Sequence, residues 1–397
     1  MADDQALIDI QSTTTTLKQA IDQYLQWMTS AGYARGTYNS YRIELKKFLY
    51  YINQRVVAWD DIFTLSTLCD FQKDSGVAAA PAVKRLSRYL FEQNRTSQPI
   101  QKQYQRLPDL YEDYLRYYKK SRQAREVQVA RIRRVLSAFH DYITRINIKL
   151  LSIKIEQIDA FMAEFTKDFR TQTAKTYRSY LRGFFRYLYR ERKGLRKDLA
   201  PLLKGCPIFA GSKPPKYLRP HEIQQLFGSL KLSSTKDIRN YALVHLAYWL
   251  GLRPEEISLI TLDDIAFATS ELTLKTRKNN RPTTLPLPEN TLKAIAVYVI
   301  GARPKSNHRR LFLNLVAPFR PITANMTGRY ITECIRKAGL SGTAYWLRHT
   351  YAQNLLEAGA CIYEIKEMMG HDNIESTRKY LHIHIKLMRE VLFGETL

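Results

Sequence analysis

Apolar residues at helical spacing fill the first half of the chain and limit its fold more than any other feature. A run from Leu17 to Met28 places its apolar side chains three and four positions apart, and a similar run follows Gly36. Residues at these spacings share one face of a helix, which must pack against another apolar surface. The chain is therefore predicted to open with two amphipathic helices. The residues of the two runs are Leu17, Ile21, Tyr24, Leu25 and Met28, and then Tyr38, Tyr41, Leu45, Phe48, Leu49 and Ile52.

The same design returns about ninety residues later. Near the ends of the two segments, Arg88-Tyr89-Leu90 reappears as Arg186-Tyr187-Leu188. We interpret the two segments as similar helical units, joined through the polar stretch from Arg95 to Arg106. A chance likeness between amphipathic helices is the alternative. The later apolar residues are Leu110, Tyr111, Tyr114, Leu115, Ile132, Leu136, Phe139, Tyr142 and Ile143.

An excess of basic residues indicates a polyanionic partner. The chain has 62 Lys+Arg against 37 Asp+Glu, a formal net charge of +25, and a charge of this size favours nucleic acid. A ribosomal or membrane-surface protein is the alternative, but such proteins usually carry long basic blocks or a basic amphipathic tail. Here the basic residues are spread among the periodic segments, which favours a folded protein that binds nucleic acid.

One predicted helix, from Thr173 to Arg190, separates its cations from its apolar residues. Four like charges with no acid among them repel one another unless an anion neutralises them. We therefore expect this face to contact DNA phosphates, and a merely solvated stripe is the alternative. The cations are Lys175, Arg178, Arg182 and Arg186, and the apolar face comprises Tyr177, Leu181, Phe184 and Leu188.

The composition changes between Pro201 and Pro215, where proline and glycine become frequent and predict an interdomain linker. Beyond it, helical patterns are interrupted by two strand-like runs, Glu271 to Thr276 and Thr283 to Leu287, with a basic stretch between them. They predict a small β-hairpin with a cationic tip. We expect a mainly α fold, with helical N-terminal units and a mixed α/β, mostly helical C-terminal domain. The predicted boundaries are 1–100, 101–203, a linker over 204–216, and 217–397.

Cysteine spacing and the N-terminus both favour a cytoplasmic protein. The four cysteines are far apart and form no CxxC pair, so neither a disulfide framework nor a zinc site is expected. Residues 1–10 carry acids and lack a signal region, and no apolar stretch reaches the length of a membrane span. We expect no membrane partner. The cysteines are Cys69, Cys206, Cys334 and Cys361.

Four short segments of the C-terminal half combine arginine, lysine, histidine and tyrosine. They are Gly251 to Ile257, the hairpin tip at Lys278, Tyr345 to Thr350, and Gly370-His371 followed nine residues after the histidine by Tyr380. Each alone is also typical of ordinary surface or packed residues. Their joint occurrence, in order and on the expected elements, indicates a catalytic centre.

Together these segments resemble the boxes of the tyrosine recombinase (phage integrase) family. The family has an arginine with a glutamate three residues on, a hairpin lysine, an HxLRHT-like box, a GH pair and a nucleophilic tyrosine. The resemblance covers residues 217–380 and extends more weakly over the two helical units, each of which resembles the family's DNA-gripping N-terminal domain. It implies a tyrosine recombinase catalytic domain behind helical DNA-binding units.

The resemblance also implies roles for individual residues. Arg253 and Arg348 bracket the scissile phosphate, where planar guanidinium groups can each offer two donors and neutralise developing charge. Tyr380 is the nucleophile, and Lys278 protonates the departing 5′ oxygen. In supporting positions, His371 bonds the phosphate, His349 assists, and Glu256 orients an arginine or a nearby backbone group. Because side chains supply the cations, no metal or other cofactor is expected.

One position departs from the family pattern. The family usually has histidine three residues before the second arginine, and here that residue is Tyr345. A phenol can donate a hydrogen bond to a phosphate but is a poor proton acceptor at neutral pH. A catalytically impaired DNA-binding paralogue is therefore an alternative. We favour an active enzyme with Tyr345 as a tolerated variant, because every other catalytic position is filled.

The implied function is site-specific recombination through a 3′-phosphotyrosine intermediate, without ATP, by a tetramer that holds two DNA sites. The implied partners are double-stranded DNA with short inverted-repeat core sites, further copies of the chain, and an accessory DNA-bending or directionality protein. The extra helical unit before residue 104 favours an integrase or transposase of a prokaryotic mobile element, acting at the nucleoid. A Xer-like chromosome or plasmid dimer resolvase is the alternative, and a type IB topoisomerase lacks this arrangement of GH pair and tyrosine.

The residues after Tyr380 predict a short helix with a strongly apolar side. In the resembling family this segment commonly docks in a neighbouring protomer, and folding back on its own domain is the alternative. The apolar residues are Ile383, Leu387, Met388, Val391, Leu392 and Phe393.

Overall fold

The computed structural model forms two compact bodies, Met1–Gln101 with Ser212–Leu397, and Lys102–Gly211. Side chains are described from residue 14 onward. The domain boundaries predicted from the sequence remain a prediction, and most of the predicted linker lies outside the described residues. The described ranges are 2–55, 57–75, 80–100, 106–205, 215–275, 282–371, 373–378 and 380.

The first helical unit confirms the two predicted opening helices. Its apolar faces meet around residues such as Leu17, Leu45 and Phe48, which are fully buried. Pro81 occupies the first turn of the last helix, where a missing N–H costs nothing. The helices are α1 Ala2–Ser30, α2 Arg35–Asn53, α3 Trp59–Ile62, α4 Leu65–Ser75 and α5 Pro81–Glu92.

The second helical unit has its own core, built around buried aromatic rings such as Phe139, Phe184 and Phe185. The helix predicted from Thr173 to Arg190 is confirmed as α9. Gln123 ends α6 in the left-handed conformation and turns the chain into the next helix. The helices are α6 Asp109–Arg122, α7 Glu126–Arg145, α8 Ile155–Thr166 and α9 Thr171–Arg190, with a 3-10 turn at Leu150–Ser152.

Both helical units contain the same aromatic cluster, which supports their interpretation as repeats. In each, two aromatic residues three positions apart on the first helix pack against a tyrosine near the end of the last helix. Ring centroids are 5.2 Å apart for Tyr24 and Tyr89, 5.0 Å for Trp27 and Tyr89, 5.3 Å for Tyr114 and Tyr187, and 4.9 Å for Tyr117 and Tyr187. The two tyrosines of the last helices belong to the Arg-Tyr-Leu segments that the sequence repeats.

The C-terminal domain is helical around a small antiparallel sheet of order β1-β2-β3. The predicted hairpin is confirmed, with Leu272 opposite Leu285 in its register. Its tip, including Lys278, lies outside the described residues. The sequence did not predict the third strand, because two residues are too few to show alternation. The elements are α10 Pro220–Ser229, α11 Thr235–Trp249, α12 Pro254–Leu259, β1 Ile265–Ala266, β2 Glu271–Leu274, β3 Thr283–Pro286, α13 Glu289–Gly301, α14 Ala324–Lys337, α15 Ala344–Glu357, α16 Ile362–Met369 and α17 Glu375–Arg378.

Helix α11 is the centre of this domain. Leu243, Val244 and Leu246 are fully buried although they lie on different sides of the helix, as expected for a helix surrounded by others. Helices α13, α14 and α15 all pack against it. The last residues of α11 are thereby fixed, and the chain that leaves it enters the candidate site. Across the part of the chain that the structure describes, no helix is long and apolar enough to cross a membrane.

Candidate active site

Arg253 is positioned by a tight turn at the end of α11. Gly251 has a φ of +58°, and a Cβ there would lie 2.3 Å from the ring of Tyr351, so only glycine fits. The turn delivers Arg253 to the start of α12. There the carboxylate of Glu256 accepts hydrogen bonds from the backbone N–H of Arg253 and from its Nη1, both at 2.7 Å. Glu256 therefore caps the helix and orients the guanidinium of Arg253.

Arg348 is held in the interior of the domain, with only 3% of its surface exposed. Its guanidinium donates hydrogen bonds to the main-chain carbonyls of Gly251 and Met369. Its Nη1 lies 3.8 Å from Oε2 of Glu256. A buried charge is tolerated only when it is paired or hydrogen-bonded. Here one carboxylate serves both arginines, and the carbonyls fix the direction of the Arg348 side chain.

The C-terminal end of α16 anchors both arginines. Arg348 bonds the carbonyl of Met369, and Nη2 of Arg253 donates to the carbonyl of Gly370 at 3.1 Å. The last carbonyls of a helix have no partner within it and carry the negative end of its dipole. Gly370, in the left-handed conformation at φ +59°, ends the helix at this point. The glycine of the GH pair, Gly370, thus accepts a hydrogen bond from Arg253 through its backbone carbonyl.

Tyr380 is 2% exposed and lies on an apolar surface formed by α15 and α16. Its Oη is 2.7 Å from Nδ1 of His349. Burial raises the pKa of Tyr380 to about 12, against the opposing effect of the nearby positive charges of Arg348 and Arg253. The phenol therefore lies within the electrostatic reach of both arginines and starts as the neutral form.

The remaining predicted site residues take different positions. Nδ1 of His371 is 2.9 Å from Oγ1 of Thr377, a residue that is 1% exposed in α17. Tyr345 stands in the first turn of α15 with 54% of its surface exposed. Thr377 was not predicted as a site residue, although its place between His371 and Tyr380 was a signal. The carbonyls that hold the arginines were not predicted either, because main-chain directions are not encoded in side-chain motifs.

The cationic stripe of α9 divides into two pairs. Lys175 and Arg186 are exposed. Arg182 is half-buried and donates a hydrogen bond to the carbonyl of Leu203. Arg178 is also half-buried, and its Nη1 would be 2.5 Å from a Cβ at Gly205. Two of the four cations therefore contact the segment that follows α9, and the predicted DNA contact by all four remains a prediction.

Comparisons with known proteins point to one family. Residues 216–386 match the Phage integrase family. A putative integrase/recombinase, y4rA, of Sinorhizobium fredii is 24% identical over 378 residues, which is 92% of this chain and 91% of that protein. Tyrosine recombinase XerC of Lacticaseibacillus casei is 30% identical over 230 residues, covering 55% of this chain and 74% of that protein.

Solved structures of recombinases share the fold. The XerH site-specific recombinase bound to a palindromic difH substrate superposes with a TM-score of 0.58 at 17% identity, over 96% of this chain and 97% of that one. The Tn1549 transposon integrase in complex with transposon right end DNA has a TM-score of 0.57 at 16% identity, over 71% and 99%. At these identities the likeness is one of fold. Taken with the sequence relatives, it identifies the chain as a member of the phage integrase family of tyrosine recombinases, which cleave and rejoin DNA at specific sites.

Proposed function

We propose that this recombinase attacks the scissile phosphodiester with Tyr380 and serves as the integrase or transposase of a mobile genetic element. One observation carries the catalytic assignment. The Oη atom of Tyr380 lies in the field of two guanidinium groups, Arg253 and Arg348, that are held in fixed directions by other residues. A buried tyrosine within the electrostatic influence of two oriented arginines is suited to attack on a phosphate.

The arginines stabilise the charge of the reaction. A guanidinium has five N–H donors, so it can keep its contacts within the fold and still donate to nonbridging phosphate oxygens. Charge grows on those oxygens as the phosphorus becomes five-coordinate. Donors that are already oriented by Glu256 and by main-chain carbonyls need no reorganisation at that moment, which is the main source of their catalytic effect.

Cleavage and rejoining use the same atoms in opposite directions. The Oη–P bond forms, the bond from phosphorus to the 5′ oxygen breaks, and a 3′-phosphotyrosine results. We assign the protonation of the departing 5′ oxygen to Lys278, which lies outside the described residues, and a phosphate hydrogen bond to His371. A 5′-hydroxyl then attacks the ester and releases Tyr380. The bond energy is kept in the ester, so no ATP is needed.

The proposed substrate is duplex DNA with short inverted-repeat core sites, bound by a tetramer that holds two sites. The two helical units and the catalytic domain would enclose the duplex, with the exposed Lys175 and Arg186 on the phosphate backbone. An accessory DNA-bending or directionality protein is a further proposed partner. Support comes from the basic charge of the chain and from fold relatives solved on DNA, including a lambda integrase dimer bound to a core site.

A Xer-like dimer resolvase is the alternative to the mobile-element role. The relative y4rA, a putative integrase/recombinase, matches 92% of this chain, whereas the XerC of Lacticaseibacillus casei matches 55%, which supports an integrase with a similar domain content. The fold match to the XerH site-specific recombinase, however, extends over 96% of this chain, so a Xer-like dimer resolvase is the second candidate. Sequencing the DNA beside the gene separates them, since an element integrase lies next to the inverted repeats it cuts.

The catalytic proposal is tested with suicide half-site DNA built from such repeats, in which a nick lets the cleaved end diffuse away. The wild-type protein should accumulate a covalent protein–DNA adduct. Tyr380→Phe should form none while binding the site nearly as well, because only the nucleophilic hydroxyl is lost. Tyr363→Phe, at an exposed tyrosine of α16, is the matched control and should behave as the wild type. An adduct that persists in Tyr380→Phe overturns the assignment, and no adduct from the wild type indicates an impaired paralogue.

A further inference from the structure

The nucleophile needs a proton acceptor that the family pattern does not supply here. Burial raises the pKa of Tyr380 to about 12, so at neutral pH the phenol is protonated and weakly nucleophilic. Where the family usually has histidine, this chain has Tyr345, which is 54% exposed and carries a phenol of its own. One tyrosine is a poor base for another.

An imidazole already contacts the phenol. Nδ1 of His349 lies 2.7 Å from Oη of Tyr380, which is the range for direct proton transfer. The neutral tautomer with its hydrogen on Nε2 presents a lone pair on Nδ1 and accepts the phenolic hydrogen bond. His371, by contrast, directs its Nδ1 to the hydroxyl of Thr377. The Nδ1 atoms of the two imidazoles therefore contact different hydroxyl groups.

We propose that His349 is the general base that activates Tyr380, an inference that rests on the proposed recombinase function. During cleavage the Oη–P bond forms and the P–O5′ bond breaks. The phenolic proton moves to Nδ1 of His349, and the departing 5′ oxygen receives a proton from the general acid assigned to Lys278. In rejoining, the 5′-hydroxyl oxygen bonds to phosphorus and gives its proton to Lys278, while the Oη–P bond breaks and His349 returns its proton to Tyr380.

Helix geometry explains how a histidine at position 349 can take the role of the histidine that the family usually has at position 345. Positions 345 and 349 are one turn apart on α15 and share a face. A histidine at either position therefore points towards the same side of the helix. The chain lacks an imidazole at the first position and has one at the second, where it contacts the nucleophile.

The decisive variant is His349→Asn. The asparagine carbonyl oxygen can take the place of Nδ1 and accept the phenolic hydrogen bond, but it cannot accept the proton. We expect single-turnover cleavage of suicide half-sites to fall about a hundredfold or more, the usual contribution of a general base, with DNA affinity unchanged. His221→Gln, at an exposed position of α10, is the control and should cleave as the wild type does.

Two further measurements separate a base from a structural hydrogen-bond partner. Adding Tyr345→His to His349→Asn should recover about tenfold or more of the lost rate, since it returns an imidazole to the same helix face. A fluorinated tyrosine at position 380 has a more acidic phenol and should also partly restore cleavage by His349→Asn, because its proton is lost more easily without a base. If His349 only positions Tyr380, neither change should raise the cleavage rate of His349→Asn.

The outcomes distinguish this inference from the proposed function. Cleavage by His349→Asn at the wild-type rate, while Tyr380→Phe is inactive, overturns the base and leaves the recombinase intact. Slow cleavage that neither Tyr345→His nor the fluorinated tyrosine improves also overturns it, in favour of a positioning contact. Absence of any adduct from the wild-type protein contradicts the proposed function itself.

Discussion

The candidate active site and helix α9 both contain several cations, but they hold them differently. Arg348 is 3% exposed and bonded to two carbonyls, whereas Lys175 and Arg186 stand exposed on their helix. Fixed cations suit a transition state, where donors must already point at developing charge. Exposed cations suit contacts with DNA phosphates, because affinity there comes from counterion release and does not require precisely oriented side chains. The difference predicts that mutations in the two regions affect separate steps.

The largest effect is expected at the arginines. Arg253→Ala and Arg348→Ala should each slow cleavage about a hundredfold or more, the scale of losing one oriented transition-state donor. Arg348→Lys should also be slow, because an ammonium cannot bond two carbonyls and a phosphate in one plane. Single-turnover cleavage, DNA affinity and thermal melting are measured together. Near-normal cleavage by either alanine variant would show that the phosphate lies elsewhere.

A smaller effect, confined to binding, is expected on α9. The double variant Lys175→Ala/Arg186→Ala should lower the slope of log affinity against log salt by about 2, since each phosphate contact contributes about 0.9. Cleavage of saturated DNA should be unchanged. The control is Lys149→Ala/Lys167→Ala, which removes two exposed lysines elsewhere in the same helical unit. Equal slopes for both double variants would mean that the α9 pair is only solvated.

The same contrast between fixed and exposed cations exists within α9 itself, between Arg182 and Arg186. Because Arg178 and Arg182 both contact the segment after α9, Arg182→Ala should lower the melting temperature of the protein while changing the salt slope less than Arg186→Ala does. Thermal melting and salt titration of the two single variants provide the test. A larger loss of slope in Arg182→Ala would place that side chain on DNA instead.

The smallest effect concerns Thr377. If its hydroxyl donates to Nδ1 of His371, the ring hydrogen is on Nε2, from which it can bond a phosphate. Thr377→Val should then slow cleavage about fivefold, the equivalent of one hydrogen bond of about 1 kcal/mol, and Thr377→Ser should retain the rate. Nitrogen NMR of His371 reports the tautomer directly. An unchanged tautomer in Thr377→Val would remove this role.

Local patterns predicted much of the fold. Apolar residues at helical spacing predicted α1, α2 and α9. Two strand-like runs with a basic stretch between them predicted the hairpin of β2 and β3. The Arg-Tyr-Leu repeat predicted two similar helical units, and the structure has an aromatic cluster of the same pattern in each. The strand β1 was missed because a two-residue strand leaves no pattern.

The site was less predictable in its contacts than in its residues. Glu256 was expected to orient an arginine or a nearby backbone group, and its carboxylate accepts hydrogen bonds from both Nη1 and the backbone N–H of Arg253. The carbonyls of Gly251, Met369 and Gly370 could not be foreseen, since they depend on how α11 and α16 end in space. For the same reason the partial burial of Arg178 and Arg182 was not visible, because helix periodicity does not reveal what a following segment covers.

The identity of the nucleophile is tested most directly by mapping the trapped adduct. Wild-type protein is allowed to cleave suicide half-site DNA, then digested with protease and nuclease, and the modified peptide is sequenced by mass spectrometry. We expect a single nucleotide-bearing residue, Tyr380, attached to a 3′ phosphate. A nucleotide on any other of the 26 tyrosines, or attachment through a 5′ phosphate, would contradict it.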